Sequence, residues 1–421
     1  MNLDTRYAFH LALDISAAGV FMAVSGLYCL AEGMTLQQLG WFFAAFFIVM
    51  VVLEVPSGFL ADRLGHLAVY RLSKCFDMLN FVLLVLAPNI SAVILASAIG
   101  GIGRALGSGC LEAWYVNQRS KESHHGNLRL VLSRANLWLL FGLGMGAAIG
   151  GLLPAMVPHA FSQAYLNGNP YKSALILSMV IHIAALGISF MTFHEGENVQ
   201  SRQGHNHESL LSMGCNLLSH FVANPVLIIL LAWQMLMGYA LANHSVYWQP
   251  VFAMLEGGNS LLEWVGFIVA SNYLLAALLG RLLGVSAAAF SVVATLLVFA
   301  LCAAVALVGM SLVNHSWDFL FANWVFIAAV FLSRPVIAAE LHRHVSSSYR
   351  SASVSLLSLS LNLGGVMTGG LLSWLTQIYS VPVAWQVSAL VLILSACGLS
   401  IWQVMTSRGR QVPDRETDSL H

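Results

Sequence analysis

From residue 8 to residue 406 the chain keeps returning to apolar stretches about twenty residues long, and no water-facing fold can hide that many. A helix rises 1.5 Å per residue, so roughly 20 apolar residues cross the hydrocarbon layer of a bilayer. Twelve stretches meet that length: 8–30, 37–58, 71–88, 91–115, 131–153, 172–193, 224–249, 262–283, 286–312, 318–341, 351–376 and 384–406. Composition agrees, with 58% hydrophobic and 9% charged residues. A soluble protein carries about 25% charged residues, so most of this surface must face lipid. A net charge of zero points to no nucleic-acid partner. Cys29, Cys75, Cys110, Cys215, Cys302 and Cys397 are scattered, without the pairing of a disulfide frame or a zinc site. The first apolar segment lacks a cleavage signal and is read as a retained helix.

The longest polar interruption runs from His194 to about Asn224 and divides the twelve spans into six and six. Within it, 210–221 has the makings of a short amphipathic helix on the membrane surface. With a cytoplasmic N-terminus, nearly all Lys and Arg fall at or near the inner side, among them Arg63, Arg71, Lys74, Arg119, Arg129, Arg343 and Arg408. Lys172 falls outside and Arg104 lies within a span. The excess of inner positive charge therefore predicts cytoplasmic N and C termini.

The halves align at an offset of 219 residues. Gly146, Gly150 and Gly151 fall on Gly365, Gly369 and Gly370, Tyr28 on Tyr247, and Gly19 on Gly238. Parallel repeats of six spans with a site near the midplane between them form a transporter architecture.

Three motifs carry a family resemblance. The stretch from Gly58 through Asp62, Arg63 and Gly65 into His66 resembles the signature loop between the second and third helices of the major facilitator superfamily. Gly142, Gly146, Gly150 and Gly151 resemble the fifth-helix motif of its drug/proton antiporters, with Ala147 where that motif has Pro. The segment 340–365 resembles the family's loop into the eleventh helix. The resemblance implies an all-α membrane protein with twelve transmembrane helices in two pseudo-symmetric six-helix bundles. It implies residues 1–193 and 224–406 as the bundles, 194–223 as a cytoplasmic linker and 407–421 as a cytoplasmic tail. It also implies a gate latch in which Asp62 faces a helix N-terminus of the other half, a favourable place for a carboxylate. His66 and Asn117 stand where the family has an ion pair, so the latch gains a titratable member.

Ionisable groups inside a span are costly and mark function. Asp14, Glu54, Arg104 and Glu112 are the candidates for proton coupling, all in the first half, and the second half shows no comparable mid-span charge. Ser97, Gly101, Arg104, Ser108 and Glu112 follow helical spacing as one polar stripe. Glu54 and Glu112 serve a latch network as well as they serve protons, and an Arg104–carboxylate pair serves structure alone equally well. In the second half Tyr239, Asn243, His244, Asn272, Tyr273 and Asn323 suit a site for an amphipathic organic molecule. A membrane-interface aromatic belt is the competing account of Tyr247 and Trp248.

His124, His125, His205, His207, His342 and His344 lack a full ligand set, so no metal is expected. No phosphate-binding GxxxxGK[ST] loop is present, and no cofactor is expected. The expectation is a monomeric, multi-pass secondary transporter of the cell inner membrane. Its partners would be protons and a small-molecule substrate such as a drug, metabolite or siderophore-like compound, exported by alternating access. A nutrient-importing proton symporter is the nearest rival. An integral-membrane enzyme would need a catalytic cluster, and a sensor would show no counterflow.

Overall fold

The computed structural model describes residues 2–121, 128–194, 224–256, 264–283, 291–345 and 350–409, and every regular element among them is helical. The first half comprises α1 (Leu3–Ala31), α2 (Leu36–Leu64), α3 (His66–Leu86), α4 (Ile90–Gly107), α5 (Cys110–Lys121), α6 (Leu128–Met156), the short α7 (His159–Tyr165) and α8 (Lys172–Thr192). The second comprises α9 (Pro225–Glu256), α10 (Val265–Leu283), α11 (Val292–Leu312), α12 (Ser316–His344), α13 (Arg350–Val366), α14 (Ser373–Ile378) and α15 (Val381–Gly409). A π-helical turn, Thr368–Leu372, joins α13 to α14.

Local sequence sets the boundaries. The Thr35 side chain caps the Gln38 backbone and Gln38 caps Thr35 in return, so α2 starts there. Asn2, Asn89 and Ser291 cap α1, α4 and α11. Gly65, at φ +94°, turns α2 straight into α3 with no loop, which a side chain would resist. The fourth predicted span is not one helix: it breaks at Ser108–Gly109, where Gly109 takes φ +70°.

Ten helical stretches among the described residues are long and apolar enough to cross a membrane. Two of the twelve expected spans are weaker. The helix α3 carries Arg71, Lys74 and Asp77 in 21 residues, and the apolar part of α10 is only Val265–Gly280.

Small residues determine how the helices meet. Gly142, Gly146 and Gly150 recur once per turn and lie on the backbone of Ala12, Ser16 and Val20, so α6 runs alongside α1 in parallel at close approach. Gly100, Gly103 and Gly107 of α4 lie against Asn80, Asp77 and Ser73 of α3, antiparallel. The second half repeats the device: Gly19 sits on the Leu143 backbone, and its repeat partner Gly238 sits on that of Leu361.

Tyr247 and Trp248 lie in the packed core at 0% and 5% exposure, so they are not part of an interfacial belt. Trp248 instead stacks near His244 and Phe252. The residues 210–221, His124, His125, His205 and His207 lie outside the described residues.

Candidate functional site

Asp14 does not stand alone in its span. Lys74 Nζ donates to both of its oxygens, at 2.9 and 3.1 Å. The same ammonium lies 2.8 Å from Asp77, and His182 Nδ1 lies 3.4 Å from Asp14. These four groups come from α1, α3 and α8. Asp77 reaches in because Gly103 of α4 has no side chain to block its carboxylate. The Lys74 ammonium also lies 5.3 Å from the Tyr70 ring, and His10 Nε2 lies 2.8 Å from the Tyr70 hydroxyl. The result is a buried cluster in which Lys74 joins Asp14 and Asp77, with His182 and the His10–Tyr70 pair at its side.

This corrects the reading of Lys74 as an inner-surface cation: it is 6% exposed and held between two carboxylates. Removing a buried cation from such a group leaves carboxylates uncompensated, whereas the intact cluster offsets their desolvation. Two signals for it were present in the sequence, the Lys74–Asp77 spacing within an apolar helix and the run of α4 glycines.

The other three coupling candidates lie elsewhere. Glu54 of α2 is half-buried, and its Oε2 has no hydrogen-bond partner among the described residues. Arg104, Ser108 and Glu112 all lie on exposed faces. The polar stripe of the fourth span is thus divided: Ser97 donates to the Phe42 carbonyl at 2.7 Å and Gly101 packs on Phe46, while the remaining three are open.

The seam between the halves is closed toward the turns at 32–35, 157–171 and 313–315. Gln249 of α9 reaches into α1, its Oε1 accepting from Gly26 N at 2.9 Å. Its Nε2 donates to the carbonyls of Met22 and Ala23, at 2.9 and 3.0 Å. Gly40 meets Ser373, Ala44 meets Gly369 and Phe47 meets Gly365 along α2, while Gly151 meets Gly266 between α6 and α10. Sequence reasoning missed Gln249, whose role depends on a partner more than 200 residues away.

In the second half, the polar residues expected to meet a substrate bond chiefly to one another. Asn243 donates to the Ala384 carbonyl at 3.1 Å and to Ser388 at 2.7 Å. His244 Nε2 lies 2.8 Å from Asn323 Oδ1, and Asn323 donates to Asn272 at 2.8 Å. Asn243, His244 and Asn323 are at most 1% exposed, so in this conformation they form a polar spine joining α9, α10, α12 and α15. Tyr239 is also buried. Tyr273 differs: its hydroxyl lies 3.9 Å from the Met22 sulfur of α1, at the seam.

The second half does hold a mid-span charge, contrary to expectation. Arg334 lies in the apolar stretch Ser316–Leu341. Its guanidinium rests 4.5 Å over the Phe331 ring, which in turn packs edge to face on the Tyr273 ring at 5.5 Å. The repeat register hid it, because the positions equivalent to Asp14 and Arg104 are Trp233 and Asn323.

In the second-helix motif, Gly58 faces open space, Arg63 stacks 4.0 Å over Phe59, and Gly65 makes the turn described above. His66 opens α3 and Asn117 lies in α5. The side chains of Asp62 and of Ser351 lie outside the described residues.

Comparison with known proteins fits this geometry. The Major Facilitator Superfamily profile matches residues 9–283. A relative described as the uncharacterized MFS-type transporter YxaM of Bacillus subtilis (strain 168) is 24% identical over 260 residues, 62% of this chain. That match spans 61% of the relative's length. Among solved structures, the nucleoside transporter NupG is 13% identical with a TM-score of 0.76, covering 95% of this chain and 99% of that one. The D-xylose-proton symporter is 13% identical with a TM-score of 0.72, covering 94% and 95%. At such identities these two establish the shape alone. With a family profile over well more than half its length, the chain belongs to the major facilitator superfamily and is a multi-pass membrane protein.

Proposed function

We propose that this protein is a proton-coupled secondary transporter that exports a small organic molecule by alternating access. In this reading α3 and α10 complete a set of twelve spans. Residues 1–193 and 224–406 form the two moving halves, 194–223 the linker and 407–421 the tail, with both termini in the cytoplasm and the protein in the cell inner membrane. The observation that carries proton coupling is the buried group Asp14, Lys74, Asp77 and His182. A proton on Asp14 removes the charge that holds Lys74 and His182, and so alters how α1, α3 and α8 pack. Arg104, Glu54 and Glu112 form a second candidate set at the open end of the seam. Asp62, with His66 and Asn117, remains the proposed latch at that end, closing when the opposite end opens.

The test is Asp14→Asn in proteoliposomes carrying a pH gradient, with the substrate identified from culture media of cells with and without the gene. Uphill transport is expected to vanish while substrate exchange without a gradient continues. Uphill transport at the wild-type rate removes Asp14 from coupling.

Export is proposed on the glycine pattern of α6, which resembles the antiporter motif. One observation favours import by proton symport instead: α6 runs unbroken through Ala147, where the motif has Pro, so the helix lacks the kink a Pro would impose. Uptake into inverted vesicles supports export, and uptake into right-side-out vesicles supports import.

A further inference from the structure

We propose that Arg334 is the counter-charge for an oxyanion, a carboxylate or phosphate, on the carried molecule, with Tyr273 as a second donor. This rests on the transport reading above and narrows its substrate class to organic anions.

The other buried cations of the spans and their ends have partners within the fold. Lys74 lies between Asp14 and Asp77. Lys172 pairs with Glu32 at 3.1 Å, and Arg119 with Asp4 at 3.8 Å. Arg71 donates to the carbonyls of Ser189 and Phe193, both at 2.8 Å. Arg104 lies on an exposed face. Among the described residues none forms an ion pair with Arg334, and its Nε is buried without a hydrogen-bond partner. An arginine stays charged at any physiological pH, and an uncompensated charge within a span is strongly disfavoured. The fold therefore supplies the cation and leaves its partner to come from outside.

The surroundings are those of a recognition site. Phe331 supports one face of the guanidinium and leaves its edge free, the edge that donates two parallel hydrogen bonds to a pair of oxygens. The Phe331 and Tyr273 rings pack edge to face at 5.5 Å, so Tyr273 belongs to the same aromatic cluster that carries the guanidinium. The Tyr273 hydroxyl has only a long contact with the Met22 sulfur, so it can turn to an incoming oxygen. Met22 belongs to the first half, so the site lies at the seam that alternating access must open and close. Pro335, next in the chain, removes the helix hydrogen bond to the Phe331 carbonyl and loosens α12 at this point.

The experiment uses the full-length protein purified in lipid nanodiscs and three matched probe pairs: benzoate with benzamide, gluconate with sorbitol, and uridine 5′-monophosphate with uridine. Binding is read by titration and by the shift in melting temperature. At least one acid is expected to bind about tenfold or more tightly than its neutral partner, the scale of a hydrogen-bonded charge. Arg334→Gln should lose that advantage, and Arg334→Lys should keep part of it. The empty Arg334→Gln protein should melt no lower than wild type, since it gives up a charge with no partner. The proposal is overturned if no acid outbinds its neutral partner, if Arg334→Gln binds the acid as wild type does, or if empty Arg334→Gln melts lower and Arg334→Lys restores it, because Arg334 would then be structural. The proton-driven flux assay is separate: acid binding through Arg334 without flux keeps this site and removes the transport reading.

Discussion

A single lysine shows how far residue type alone carries the reading. Lys74 sits at the start of an apolar stretch, and the excess of inner positive charge made it one more surface cation. Its burial is decided by three partners that are not its neighbours in space by any local rule: Asp14 from α1, His182 from α8, and the Gly103 backbone of α4 that admits Asp77. Asp14 was legible as a costly charge in a span; its partner was not, because pairing across 60 residues has no periodic signature. Arg334 is illegible for the opposite reason: the repeat register sets Trp233 and Asn323, not Arg334, opposite the charges of the first half. Lys74→Met should destabilise the protein by about 3–5 kcal/mol, the cost of leaving buried carboxylates unpaired. Adding Asp14→Asn and Asp77→Asn should recover part of the loss. Arg63→Met, at an exposed position, should change stability by no more than about 0.5 kcal/mol. Thermal unfolding in nanodiscs measures all three, and equal effects of Lys74→Met and Arg63→Met would show that the cluster contributes nothing to stability.

At the scale of elements, most of the architecture was legible because crossing a bilayer demands a length and an apolar character that composition shows directly. Helix breaks were less so. Ser108–Gly109 interrupts the fourth span because Gly109 adopts a left-handed conformation, and hydropathy carries no such information. The glycines of α6 were read as a family motif; their physical role is to let α6 lie on the backbone of α1. Gly146→Val would set its side chain on the Ser16 backbone, and such overpacking typically costs about 1–3 kcal/mol. Gly58, in the second-helix motif, meets nothing within 4 Å. Gly58→Val should therefore leave the melting temperature nearly unchanged yet slow transport, if that glycine serves close approach in the conformation where the opposite end opens. Unaltered transport in Gly58→Val would show that no such approach occurs.

Across the whole molecule, the polar contacts between the halves are unevenly placed. At one end α1 and α9 are joined by the Gln249 side chain, and α2 meets the π-helical turn and α14 through Gly40, Ala44 and their partners; at the other end Arg104, Ser108 and Glu112 are open. A transporter poised between two states is sensitive to such bonds, since each acts on one state only. Gln249 makes three hydrogen bonds to the α1 backbone, and a typical net worth of about 0.5–1 kcal/mol each gives roughly 1.5–3 kcal/mol for the closed seam. Gln249→Leu should then shift the equilibrium by about 10- to 100-fold toward opening at this end. The shift can be read from spin labels at His159→Cys and Asn314→Cys, exposed positions on opposite halves, with the exposed Cys75 and Cys397 replaced by Ser. A longer distance population should grow in Gln249→Leu and return with Gln249→Glu at low pH, where a protonated carboxyl can accept from Gly26 and donate to one of the α1 carbonyls as the amide does. A distance distribution identical to that of wild type would mean that the seam is held by helix packing alone, with Gln249 a passenger.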